Sequence, residues 1–166
     1  MKSYLEDDAV MEESILLLSE DEEDDEIPNF AHGRLQTELL WILRTCLKPH
    51  VAAYSPITFR GKIRRYTPDV VVYPKRTVPL AEEAILELTP PMLAVEIISP
   101  GQTMAEMVKK CREMITSGVE ECWIIEPANE SVTICRQGAM LVLHHGEEIH
   151  HTLLTRNINV DELFDV

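Results

Sequence analysis

The chain has 166 residues, 45% of them hydrophobic, and a formal net charge of −14. That length suffices for one domain with a sizeable core, and the apolar content excludes a chain too polar to fold. No apolar run approaches the ~18 residues of a membrane span and no secretory leader is recognisable, so no membrane partner is expected.

The charge is uneven. Residues 1–26 hold twelve of the 29 acidic residues and one lysine, a net −11, which leaves the remainder at −3. A run such as Glu20-Asp21-Glu22-Glu23-Asp24-Asp25-Glu26 repels itself, so residues 1–28 are expected to form a solvated, mobile segment. Residues 29–166 are then a single domain. Ile15-Leu16-Leu17-Leu18 is an apolar island in the acidic segment, suited to docking as a short strand or a helical turn. Cys46, Cys111, Cys122 and Cys135 are scattered and form no C-x-x-C pair. They read as reduced core thiols of a cytoplasmic protein rather than a zinc site.

The first predicted element is a helix. Asn29 is its N-cap after Pro28, Phe30, Leu35, Leu39, Ile42, Leu43 and Leu47 share one face, and Pro49 ends it. Residues 51–60 and 63–73 read as two strands around Gly61. Arg60, Lys62, Arg64 and Arg65 place four positive charges in six residues at that turn. Residues 74–91 form a proline-bounded connection with a turn of helix at 81–86. Residues 92–98 form a strand rich in apolar side chains. Ser99-Pro100-Gly101 then shapes the turn into a helix at 104–117, opened by the capping box Thr103-Met104-Ala105-Glu106 and stopped by Gly118. A strand at 121–126 completes a β-α-β unit, whose strands should be parallel. Residues 131–136 and 139–144 read as a hairpin around Gln137-Gly138. A further strand at 149–154 and a helical turn at 160–164 follow. Adjacent strand residues point to opposite faces, so the pairs His144-His145 and His150-His151 are given no chelating role.

Two acids stand out. Asp69 lies in Thr67-Pro68-Asp69-Val70-Val71-Val72-Tyr73, and Glu96 in Met92-Leu93-Ala94-Val95-Glu96-Ile97-Ile98. Two carboxylates in neighbouring buried strands are costly to desolvate and repel one another. A divalent cation between them relieves both, because hard cations prefer carboxylate oxygens. A lysine beside such a pair completes the set that metal-dependent phosphodiester hydrolysis uses. Each residue has a plainer reading. Asp69 could bind only backbone amides in a turn, and Glu96 could sit in a buried salt bridge to an arginine. On the helix after Glu96, Lys109 falls opposite the apolar face of Met104, Met107, Val108, Cys111, Met114 and Ile115. Lys110 falls on its boundary, where a buried stem can carry the ammonium to a cleft. The plainer reading of Lys110 is an exposed pair with Glu106.

Pro68-Asp69, Glu96-Ile97-Ile98-Ser99-Pro100, Lys110 and Gly118-Val119-Glu120-Glu121-Cys122-Trp123, in this order, resemble the Uma-two family. This is a bacterial family of restriction-endonuclease-like proteins in the PD-(D/E)xK nuclease superfamily. The likeness runs from about residue 28 to the end of the chain. It implies an α/β (α+β) fold with a restriction-endonuclease-like core, a central mixed β-sheet flanked by helices. It implies that Asp69 and Glu96, with the backbone carbonyl of Ile97, bind Mg²⁺ or Mn²⁺, and that Lys110 joins the two acids as a catalytic residue. The family carries its lysine on the helix after the second acid, which matches Lys110. An aspartate usually stands four residues earlier, where this chain has Glu106, and a tyrosine four residues later, where it has Met114. The family's first-helix histidine corresponds to His32. His32 and Glu106 are thus auxiliary candidates, against readings as a helix-terminus residue and a cap.

The implied function is a metal-dependent endonuclease that hydrolyses phosphodiester bonds in DNA, with RNA as a second class of substrate. The basic residues Arg60, Lys62, Arg64 and Arg65 would meet phosphates, and a homodimer would suit cleavage of both strands. The alternative is a non-catalytic module that keeps the nuclease fold and binds nucleic acid or protein.

Overall fold

The structure, a computed structural model, describes residues 29–78, 81 and 86–165. The apolar island at 15–18 and most of the turn expected at 81–86 lie outside these residues.

Helix α1 spans Phe30–Cys46. It starts where Asn29 accepts a hydrogen bond from the His32 amide at 3.0 Å, satisfying one of the free N–H groups of a first turn. Leu35, Leu39, Ile42, Leu43 and Cys46 are buried along its length. Six strands form one mixed sheet in the order β1-β4-β5-β6-β7-β8. They are β1 (Val51–Tyr54), β4 (Val70–Pro74), β5 (Leu93–Ile97), β6 (Glu121–Glu126), β7 (Ser131–Arg136) and β8 (Ala139–Leu143). Only β5 and β6 are parallel; the other neighbours are antiparallel.

Side-chain alternation divides the sheet into two packed faces. Val70, Val72, Leu93, Val95, Ile97, Trp123 and Ile125 lie with α1 in one core cluster. Ala94, Cys122, Ile124 and Cys135 lie in the other with Met107, Cys111 and Met114 of helix α2 (Met104–Thr116). The expected capping box is present: the Thr103 amide donates to the Glu106 carboxylate at 2.8 Å, and the Glu106 amide donates to Thr103 Oγ1 at 3.3 Å. Gly118 ends the helix with φ +111°, a conformation that costs a side-chain-bearing residue. On α2, Lys109 is exposed and Lys110 half-buried, as the helical phase requires.

Two expectations need correction. Residues 51–60 and 63–73 are not two continuous strands. They break into β1, β2 (Phe59–Arg60), β3 (Arg65–Tyr66) and β4, and β2 pairs with β3 as a separate two-stranded ribbon. Pro56 and Pro68 mark the breaks, since proline cannot donate to a ladder. Nor is 149–154 a strand. Strand β9 is only Glu148–Ile149 and pairs with β10 (Ile158–Asn159). The consecutive residues Leu153 and Leu154 are both buried, which alternation on a strand facing solvent does not allow. The chain instead turns under α1, where the Thr155 amide donates to the Cys46 carbonyl at 2.7 Å. The helical turn expected near the end is α3 (Asp161–Phe164).

One buried carboxylate was not singled out from the sequence. Glu121 is 2% exposed at the start of β6 and accepts hydrogen bonds from Trp123 Nε1 and Arg136 Nε. His151 Nε2 faces it at 3.8 Å, while His151 Nδ1 accepts the Leu153 amide at 3.0 Å. Burial pushes the His151 pKa below its ordinary value, against the opposing pull of Glu121. The unfolded chain takes up this proton near pH ~6.5 and the folded chain resists it. Stability is therefore present above that pH and is lost as pH falls toward the depressed folded value. Urea unfolding at pH 7 and pH 5 should register a smaller loss in His151→Gln than in the parent; equal losses would exclude this histidine as the source.

Candidate active site

Strand register decides what meets at one end of the sheet. In the β4–β5 ladder Val70 pairs with Val95 and Val71 with Ala94. Asp69 lies in the bend just before β4, beyond the last pair of that ladder, and its carboxylate reaches the backbone N–H of Ile97, the residue after Glu96. The Asp69 side chain turns to His32 of α1, and that of Glu96 to Lys110 of the helix on the other face. Both acids thus stand at the end of the sheet where β5 hands over to the Ser99-Pro100-Gly101 turn.

Asp69 is held from two sides. Its Oδ2 accepts the Ile97 backbone N–H at 2.7 Å. Its Oδ1 lies 2.8 Å from His32 Nε2. An ionised carboxylate only accepts, so Nε2 must carry the hydrogen. His32 Nδ1 then meets Ser99 Oγ at 2.9 Å, the serine donating to a neutral ring and accepting from a charged one. Gln36, one turn further along α1, donates to the Asp69 carbonyl at 2.9 Å and to Ser55 Oγ at 2.6 Å. The first turns of α1, the approach to β4 and the end of β5 are tied together through Asp69. Its side chain keeps 12% exposure.

Glu96 is more enclosed, with a side chain 2% exposed. Alternation directs it to the α2 face, where Lys110 Nζ approaches Oε1 at 3.0 Å. The Lys110 side chain is 23% exposed, with its ammonium at the carboxylate. The buried partner of Glu96 is therefore this lysine rather than an arginine, and Lys110 does not form the exposed pair with Glu106.

Ile97 belongs to the same constellation through its backbone, whose N–H fixes Asp69. Glu106 stays outside it, with its carboxylate committed to the Thr103 amide and hydroxyl. The basic residues sit on the β2–β3 ribbon, which packs along α2. Arg64 meets Glu113 at 3.2 Å and lies over the Tyr66 ring, 5.1 Å from its centroid. Arg60 and Lys62 are exposed and Arg65 half-buried. Gln36 escaped the sequence reading, although its spacing of four residues from His32 puts both on one side of α1. Among the described residues, no group of three or more His, Cys, Asp or Glu side chains is placed to hold a metal ion. No helix of the described residues is long and apolar enough to cross a membrane.

Comparison with known proteins follows the same line. The sequence model of the Uma2 family, described as "Putative restriction endonuclease", matches residues 25–161. A solved structure from Anabaena variabilis ATCC 29413, of "a putative nuclease belonging to DUF820", superimposes with a TM-score of 0.73. The two chains are 21% identical, over 84% of this chain and 83% of that one. At that identity the likeness establishes the fold alone. No curated protein matches the chain.

The Glu96–Lys110 pair yields a test of its own. Removing one member of a buried pair leaves the other charge poorly compensated, at a cost of about 3 kcal/mol. Lys110→Met should lower the stability to urea at pH 7 by that order, and Glu96→Gln added to it should recover most of the loss. Additive losses in the double variant would mean that the two side chains are not coupled.

Proposed function

The chain belongs to the Uma2 family, and on that premise we propose that it is a metal-dependent endonuclease that hydrolyses phosphodiester bonds in DNA. One observation carries this reading. Two acids converge at one end of the β4–β5 strand pair, Asp69 on the N–H of Ile97 next to Glu96, with a lysine ammonium 3.0 Å from the more buried of them.

The donors suit Mg²⁺ or Mn²⁺. Asp69, Glu96 and the Ile97 carbonyl are hard oxygen ligands, and they would hold the ion. Magnesium keeps several of its waters and is bound by one or two carboxylates together with substrate phosphate oxygens, so no larger protein cage is needed. A carboxylate has about four acceptor sites, so Asp69 can meet a cation while keeping His32 and the Ile97 N–H. Such an ion, when bound, polarises the phosphate and lowers the pKa of a bound water.

The residues around it have separable tasks. His32, itself fixed by Ser99, holds Asp69 in orientation through Nε2–H. The Ile97 N–H fixes the second oxygen. Lys110 offsets the charge of Glu96 in the resting protein. Its ammonium then stands ready to stabilise negative charge that develops on the phosphate, in a site largely closed to water. Arg60, Lys62 and Arg65 supply positive charge for the neighbouring phosphates. A homodimer would pair through β8, the edge of the sheet, where Met140, Leu141 and Val142 are exposed.

Incubation of supercoiled plasmid with protein and Mg²⁺ tests the proposal. Nicking or linearisation is expected, lost by about 100-fold or more in Asp69→Asn and in Glu96→Gln. Mg²⁺ should also raise the melting temperature of the parent by mass action, and that of Glu96→Gln much less. Cleavage of RNA alone would replace DNA as the substrate. Plasmid binding without cleavage, and equal Mg²⁺ shifts in both proteins, would favour the non-catalytic module.

A further inference from the structure

The β2–β3 ribbon carries an exposed isoleucine in a place built to hold it outward. The tip is not loose. The Gly61 amide donates to the Arg64 carbonyl at 2.9 Å, and the Lys62 amide donates to Ser117 Oγ at 2.9 Å. A Cβ at Gly61 would collide with the Tyr66 ring and with Ser117 Oγ, so only glycine allows the tip to press this closely on α2. Tyr66 Oη donates to Glu113 at 3.2 Å. Phe59 and Tyr66 are fully buried against Met107, Cys111 and Met114. The ribbon is thus anchored along α2 at its base and at its tip. Between the anchors Ile63 is 66% exposed, at the edge of a groove shared with Met104, Ala105 and Val108 of α2.

The surroundings indicate what covers it. Lys62 and Arg64 flank Ile63, and Arg60 and Arg65 complete the ribbon's basic set. Across a groove of about 670 Å³, the outer face of α2 presents Lys109 and Arg112. The acidic residue of the groove lining is Glu113, which Arg64 already engages. So much positive charge on a short ribbon and the helix it packs along, in a chain with net charge −14, fits a polyanion. An apolar point among basic residues on a rigid β-ribbon fits the minor groove of a duplex, where isoleucine is one of the side chains that unstack a base step.

We infer that the β2–β3 ribbon seats duplex DNA by inserting Ile63 at a base step of the minor groove, while Lys109 and Arg112 hold the adjacent phosphates. This rests on the nuclease reading for its partner, and it adds residues and a deformation which that reading does not contain. Asp69 is six positions after Ile63, so the chain between them spans at most ~20 Å. At 3.4 Å per step along one strand, the wedge and the acids lie within about six base steps of each other. Lys109 and Lys110 are neighbours on α2, one directed to the groove and the other to Glu96. One helix therefore joins the seat to the candidate catalytic centre.

Binding of a fluorescent duplex carrying 2-aminopurine, measured in EDTA with the full chain, tests this apart from cleavage. The parent should bind with a rise in 2-aminopurine fluorescence as a step unstacks. Ile63→Ala should weaken binding by about tenfold, abolish that rise and leave the salt slope unchanged. Arg112→Gln should keep the rise and reduce the slope of log K against log salt by about 0.9. Ile63 is exposed, so unchanged melting of Ile63→Ala is the expected control. A parent that does not bind duplex, or an Ile63→Ala variant that binds and unstacks like the parent, would overturn the inference. If plasmid cleavage persists in that second case, the nuclease reading survives the loss of the wedge. If unstacking is seen but no cleavage, the wedge stands and the nuclease reading fails.

Discussion

The Asp69 carboxylate is the point on which the rest of the site depends. It joins a helix, a strand start and a strand end through two charge-assisted contacts, to the imidazole of His32 and to the Ile97 N–H. Hydrogen bonds to a charged group contribute about 1.5–3 kcal/mol each. They also set direction, since both oxygens are fixed. Without them the bend at 67–69 would be a solvated proline turn. With them the first turns of α1 have one allowed position over the sheet, and His32 has one allowed tautomer when neutral.

Glu96 depends on a different device. Its position is set by the β5 ladder, and its compensation by the phase of α2. The capping box fixes where that helix begins. Lys110 is then carried to the boundary between the buried face of Met107, Cys111 and Met114 and the solvent. A shift of one residue in the helix start would rotate the lysine by about 100° and leave Glu96 facing an apolar wall. The local sequence at 103–106 thus governs an interaction that lies more than a turn away.

Much of this was legible in the sequence, for physical reasons that differ by element. The α2 face and Leu35, Leu39, Ile42 and Leu43 of α1 followed from helical periodicity, whereas Phe30, expected on the same face, is fully exposed; β5, α2 and β6 followed from apolar runs separated by a capped helix. The boundary position of Lys110 followed from counting angles. The break-up of the 51–73 region was less legible, because the apolar pattern continues past Pro56 and Pro68 while the hydrogen-bond ladder does not. The segment after β9 is not the strand expected at 149–154, because Leu153 and Leu154 are both needed inside. Gln36 and Ser99 have polar roles that depend on contacts 33 and 67 residues away in the chain. No local pattern encodes such distances. Glu121 was hidden for the same reason, since Arg136 reaches it only through the β6–β7 register.

The separation of the β2–β3 ribbon from the main sheet bears on how this architecture tolerates change in chain length. Residues inserted at the ribbon tip leave the β1–β4 and β4–β5 registers untouched, because neither ladder includes the ribbon. The same insertion between Asp69 and Val70 would carry the acid away from the Ile97 N–H and from His32. Length variation among relatives, and grafts made by engineers, are thus expected to accumulate at 61–64 and to avoid 67–70. A loop exchanged at that tip would alter what the protein grips while the acids stay where the strands put them.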